Sequence, residues 1–176
     1  VVTLTLYASR VVAGVTESAN TSTTITVTDQ ATAYSSFIAI GQTTPPTAGT
    51  GGIPIGATCV AQSNLSTIVS TYINGGAGTN RCVMLVGGDT FTGSSPEIVV
   101  AGPCLIRACG TGKPKLTGSA ANTAILVLGN GTTSNLTLCD LDIDGGGATN
   151  NGGIQARVLG GTVLTDFTML RCDIHD

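Results

Sequence analysis

Two stretches of this chain say nearly the same thing. The run TLCDLDIDG at 137–145 returns as TMLRCDIHD at 168–176, 31 residues later. The correspondence extends around them. Leu136 and Leu138 match Phe167 and Met169, Leu141 and Ile143 match Cys172 and Ile174, and Ile125 and Val127 match Ile154 and Ala156 at a spacing of 29. Each unit holds three short runs in which alternate residues are apolar, the period of a strand with one face turned inward. A unit this small cannot bury its inner face alone, whereas stacked copies bury it against one another. Pairing matched strands in parallel achieves that stacking. The repeat therefore predicts an all-β solenoid, a parallel β-helix.

The rest of the chain falls into stretches of different character. From Arg81 onward it is written in short strand-like runs, CVMLV, EIVV, CLIRA, PKLTG, AILVL, NLTLC, DLDID, GIQARVL and DFTMLRCDI, separated by Gly, Asn and Pro. Upstream, NLSTIVSTYI at 64–73 puts Leu65, Ile68, Val69 and Ile73 at helical spacing, with Asn64 or Ser63 as N-cap and Gly75 as a stop. That predicts a short capping helix at the start of a β-helix spanning 59–176. The stretch GQTTPPTAGTGGIPIG at 41–56 carries three of the six prolines and five glycines, and marks residues 34–58 as a linker or extended strap. Residues 1–33 hold two alternating runs, VTLTLYASRVV and TSTTITVTD, with GVTESAN as the turn between them. Two strands are marginal alone, so this segment is expected to complete another domain or to pair with another chain.

Composition narrows the class. Hydrophobic residues make up 41% of the chain but aromatics only 3%, so any core must be built from Val, Ile, Leu and Ala. Charged residues are 10% against about a quarter in ordinary soluble domains, which leaves a neutral, polar, Thr-, Ser-, Asn- and Gly-rich surface. Such a surface suits an extracellular, cell-surface or virion protein. The net charge is -3 and no basic run occurs, which argues against a nucleic-acid partner. The longest apolar runs, such as AILVL at 124–128, fall far short of the ~20 residues of a membrane-inserted helix. The six cysteines include no CxxC pair. Disulfides in an oxidising compartment and stacked buried thiols both remain open. Sequons at Asn20, Asn64, Asn130 and Asn135 permit glycosylation.

Three phrases carry a family likeness. NRCVMLVGGDTF at 80–91, CLIRACGTGKPKLTG at 104–118 and MLRCDIHD at 169–176 resemble lines of the right-handed parallel β-helix superfamily of pectate-lyase-like and tailspike proteins. The likeness covers roughly residues 59–176 and implies the N-terminal coils of such a β-helix. Residues 1–33 resemble the closing strands of an Ig-like β domain. A homotrimer is implied by the likeness to tailspikes. The chain starts without Met and stops after a strand with no closing cap, so it reads as a portion of a longer protein.

Chemistry has one place to sit. In the strand Leu141-Asp142-Ile143-Asp144 the apolar pair points inward and both Asp point out, and one coil later Asp173 and His175 do the same. In-register stacking then makes three outward pairs, Asp140 with Arg171, Asp142 with Asp173 and Asp144 with His175. Two carboxylates stacked ~4.8 Å apart repel unless a cation, a shared proton or water relieves them. The functional reading makes Asp142, Asp144 and Asp173 a Ca²⁺ site, the one cofactor the ladder suggests, or makes Asp142, Asp173 and His175 acid/base groups acting on a glycoside. Arg107, or Lys113, would be the base a lyase needs opposite Ca²⁺. The plainer reading is a solvated polar face, with Arg107 and Lys113 bracing a loop. The superfamily's catalytic motifs have no counterpart here, and GTGKP lacks phosphate-loop spacing.

Two functions are therefore expected in order. The first is a structural or adhesive stalk, non-enzymatic within these residues, that presents a β-helix to glycans or cell-surface polysaccharide and is attached through its N-terminal strands. The second is a secreted polysaccharide lyase or glycoside hydrolase whose active coils lie mostly past residue 176.

Overall fold

The computed structural model describes residues 2–12, 15–25, 34–75, 80–94, 96–118, 124–128, 133–145, 152–156 and 164–175. The chain divides into two compact units, 1–33 and 34–176. In the first, β1 (Val2–Val12) and β2 (Val15–Ile25) pair antiparallel, from Val2 opposite Ile25 to Val12 opposite Val15. Most of GVTESAN, expected as a turn, is thus strand. Six of its seven residues belong to β2, so polar composition overstated the loop. Residues 26–29 of the second expected run lie outside the described residues.

The second unit is built from β3 (Ser36–Gly41), β4 (Thr58–Ala61), β5 (Arg81–Val86), β6 (Thr90–Gly93), β7 (Glu97–Ile98), β8 (Ala101–Cys109), β9 (Lys115–Gly118), β10 (Ala124–Leu128), β11 (Thr133–Cys139), β12 (Asp142–Asp144), β13 (Gly152–Ala156), β14 (Leu164–Thr165), β15 (Thr168–Leu170) and β16 (Asp173–His175). These strands form three sheets, paired in parallel throughout. The first runs β14-β11-β8-β5-β3-β4 with β15 also on β11, the second β16-β12-β9-β6 and the third β13-β10-β7. The chain visits them in one fixed order: β5, β6, β7; then β8, β9, β10; then β11, β12, β13; then β14 and β15, and β16. Each circuit lies on the one before it.

Alternation decides what fills the middle. Val83, Leu85, Cys104, Ile106, Leu136 and Leu138 of the first sheet and Phe91, Leu116 and Ile143 of the second are buried in one apolar cluster. Phe91 is its only fully buried aromatic ring among the largest buried side chains, so aliphatic layers build the interior as composition required. The 31-residue repeat is exact for two sheets: Leu138 pairs with Met169 and Ile143 with Ile174. In the third sheet Leu126, not Ile125, pairs with Ile154, and Leu128 with Ala156, a step of 28. All five residues of AILVL are buried, so no polar alternation marked which way each one faced.

The repeat also appears in the backbone. Asn135 and Asp166 have φ 54° and 52°, and Asp140 and Arg171 have φ 57° and 51°, two left-handed pairs each 31 residues apart. Earlier circuits turn the same corner between the first and second sheets with glycines, Gly88 at φ 85° and Gly110 at φ 75°. Neighbouring corners stack closely, because a Cβ on Gly87 would lie 2.3 Å from the Thr111 carbonyl oxygen.

One end of the stack is covered. Helix α1 (Leu65–Ile68) continues as a π-helical turn over Val69–Asn74, and the four residues of the expected stripe, Leu65, Ile68, Val69 and Ile73, are all buried. The Asn64 side chain accepts from the Thr67 amide at 2.9 Å, the expected N-cap. Arg81 is also buried at this end, and its Nη1 donates to the Tyr72 carbonyl at 3.0 Å.

The expected linker over 34–58 needs correcting at both ends. Residues 36–41 form β3, an interior strand of the first sheet with Ala39 and Ile40 fully buried, and Thr58 already belongs to β4. Only residues 42–57 run as a strap, and they lie on the outer face of the first sheet. There Ile53 of the strap packs with Ala39, Cys82, Met84, Leu105, Cys109 and Cys139 in a second apolar cluster. All six cysteines are free thiols here; Cys82, Cys104, Cys109 and Cys139 are buried, and Cys59 and Cys172 are partly exposed.

Candidate functional site

The outward face of the second sheet carries the charges. The register stacks Lys115, Asp142 and Asp173 in one column and Thr117, Asp144 and His175 in the next, with Leu116, Ile143 and Ile174 between them facing in. The expected pairs Asp142–Asp173 and Asp144–His175 are therefore in register.

Each stacked carboxylate turns to a different nitrogen-bearing side chain. Asp173 Oδ2 accepts from Lys113 Nζ at 2.7 Å across 60 residues of chain. Asp144 Oδ2 accepts from Lys115 Nζ at 2.7 Å. Asp142 Oδ1 lies 2.7 Å from His175 Nε2, and His175 Nδ1 lies 3.9 Å from Asp144 Oδ1. At the corner, Arg171 grips Asp140 with both prongs, Nε to Oδ1 at 2.6 Å and Nη2 to Oδ2 at 2.7 Å. The Arg171 guanidinium holds the Asp140 carboxyl well below the usual range, at about 2, and the Asp144 carboxylate raises Lys115. Cys139 joins this corner, its Sγ lying 3.2 Å from Asp140 Oδ2 and accepting from Arg171 Nη2 at 3.1 Å.

The structure brings Asp142, Asp144, Asp173 and His175 onto one face and adds Lys113 and Lys115. It does not bring Arg107. That residue faces outward from the first sheet, where Nη2 donates to the Gly52 carbonyl at 2.8 Å, Nη1 to the Ala108 carbonyl at 3.0 Å and Nη2 contacts Met84 Sδ at 3.3 Å. Arg107 braces the strap. Lys113, read in the sequence as a loop brace, instead ties two circuits together. Lys115 was missed as a site residue, although PKL one circuit before DLDID carried the signal, a cation at the position above Asp142.

A metal centre needs several ligands converging on one point. Among the described residues no group of three or more His, Cys, Asp and Glu side chains is placed to hold a metal ion. The carboxylates are spread along the sheet, and three of them, Asp140, Asp144 and Asp173, point to Lys or Arg nitrogens. The closest contact of acid/base type on this face is Asp142–His175, with side chains 23% and 49% exposed to solvent. Among the described residues no helix is long and apolar enough to cross a membrane.

The chain matches no family model, and no curated protein and no solved structure is detectably similar to it.

Proposed function

We propose that residues 34–176 wind as a right-handed parallel β-helix and serve as a structural or adhesive module outside the cell, on a cell surface or on a virion, presenting a polar sheet face to glycans. Right-handedness follows from the near-universal hand of parallel crossover connections. One observation carries the functional reading: the charged groups on the second sheet are paired off from one circuit to another rather than gathered around a reaction centre. A face of alternating Lys, Asp and Thr offers donors and acceptors at the strand spacing of ~4.8 Å, which suits a hydroxyl-rich chain lying along it. Three phenylalanines and three tyrosines in the whole chain leave little aromatic surface for ring stacking, so single contacts are weak and useful adhesion comes from many copies. The N-terminal hairpin supplies the attachment to other chains, in a homotrimer if the assembly follows tailspikes.

The test is retention of the full chain on a panel of immobilised neutral and acidic polysaccharides, with the eluate assayed for new reducing ends and unsaturated uronates. Retention without product is expected. Product release overturns the reading in favour of a polysaccharide lyase or glycoside hydrolase, with Asp142 and His175 the first residues to change. Retention on no polysaccharide removes the adhesive role.

A further inference from the structure

The outer face of the first sheet holds a layer of sulfur. The register sets Cys82 beside Leu105, places Met84, Arg107 and Cys139 in one column, and puts Cys109 beside Val86. Cys82 is 0% exposed, Met84 0%, Cys109 3% and Cys139 8%, although these side chains point away from the interior of the stack. Packed with them are Ile53 and Ala57 of the strap, with Tyr34, Phe37 and Cys59 alongside.

The strap is held at few points. Between residues 42 and 57 only Ile53 is buried, while Ile55 two residues on stands 92% exposed. Gly110 donates its amide to the Gly51 carbonyl at 2.7 Å, Arg107 reaches the Gly52 carbonyl, and Gln42 donates its amide to Asp89 Oδ2 at 2.7 Å. Among the described residues no strand of the sheet pairs with this segment. Positive φ at Gly49, Gly51, Gly52 and Gly56 places glycine hinges on both sides of Ile53. A segment with one buried apolar anchor, a half-buried Ala57 beside it and a few hydrogen bonds opens at a lower free energy than the layered stack beneath it.

We propose that the strap is a cover that swings off while the stack stays folded, and that it gates the reach of thiol-directed reagents to Cys82 and Cys109. In the closed state burial pushes these thiols up, Cys109 to about 11, so they rest protonated and unreactive. Opening returns them to water and to ordinary thiol chemistry.

The chain contains its own control. Cys104 sits on β8 next to Leu105 but points inward, 1% exposed, where only opening of the stack exposes it. The experiment is pulsed alkylation of the native chain with N-ethylmaleimide, each cysteine being followed by peptide mass. Cys59, partly exposed, reports reagent activity. In the wild type, Cys82 and Cys109 are expected to label at least about tenfold faster than Cys104, as local opening requires. Ile53→Asp should accelerate Cys82 and Cys109 while Cys104 keeps its rate, and Ile53→Ala, which shortens the plug without adding a charge, should shift them in the same direction. A single common rate for Cys82, Cys109 and Cys104 in the wild type overturns the proposal, because all three then wait on one global opening.

Discussion

The outer faces of the first and second sheets are built on the same coils and differ in every other respect. The first is apolar but for Arg107, lined with Cys, Met and Leu and roofed by the strap. The second is bare, lined with Lys, Asp and Thr and neutralised by its own ion pairs. Both solve the problem of a strand's second side, one by adding a layer of chain and the other by letting charge face water. The strap side adds core, whereas exposed ion pairs contribute little to stability. Stability should therefore be asymmetric about the stack.

The sharpest way to break that comparison is to exchange the chemistry of the faces. Leu105→Asp puts a charge at a position 3% exposed, with no partner provided. It should destabilise by more than about 4 kcal/mol and leave little folded protein by circular dichroism. The reciprocal change, Asp173→Leu, removes a carboxylate whose side chain is 63% exposed and should move stability by no more than about 0.5 kcal/mol in urea titration. Equal effects would mean that the strap contributes no core. At the roof itself, Ile53→Ala should cost about 2 kcal/mol, the lower end for a buried aliphatic truncation, because a surface segment relaxes into part of the void.

The two arginines sharpen the contrast. Arg107 donates to two backbone carbonyls in a packed setting, so Arg107→Ala should cost about 2 kcal/mol in the same titration. Arg171 has φ 51° and a side chain 67% exposed. Arg171→Gly loses the grip on Asp140 but relieves a left-handed backbone that glycine adopts freely, and the urea midpoint should not measurably move.

The second face was far easier to read in the sequence than the first. Where inward Leu and Ile alternate with outward Asp, as in DLDID and CDIHD, the pattern fixes register as well as strand, and Asp142 over Asp173 follows directly. Where both sides of a strand are apolar, as in RCVMLV and AILVL, alternation vanishes. The one-residue register difference at Leu126 and the sulfur layer were hidden for that reason. The strand SFIAIG was lost to its neighbourhood, since the Pro- and Gly-rich strap begins immediately after it. The cations on the acidic face come from other circuits: Lys115 reaches Asp144 from the adjacent one, and Lys113 reaches Asp173 across the circuit between them, from 60 residues away, a distance no local motif spans. For the acidic ladder, sequence established which residues stack, and side-chain geometry established that they are spoken for.

The smallest expected effect concerns the corner where the two faces meet. The Asp140 carboxyl is held at about 2 by Arg171, below the ~3.9 of an unfolded aspartate. A folded pKa lowered in this way adds stability that is fully present above about pH 4 and is lost as pH falls toward about 2, where the folded state also takes up the proton. The pair is exposed, so solvent and salt screen much of it. Urea midpoints of the wild type should therefore fall more steeply between about pH 4 and pH 2 than those of Asp140→Asn, and the two lines should run parallel above about pH 5. Adding salt to about 1 M, where the screening length is only ~3 Å, should shrink the difference between them. If the variant keeps the full acid slope, the Asp140–Arg171 pair is not what sets the acid sensitivity, and it is ornamental to stability while the left-handed turn beneath it remains.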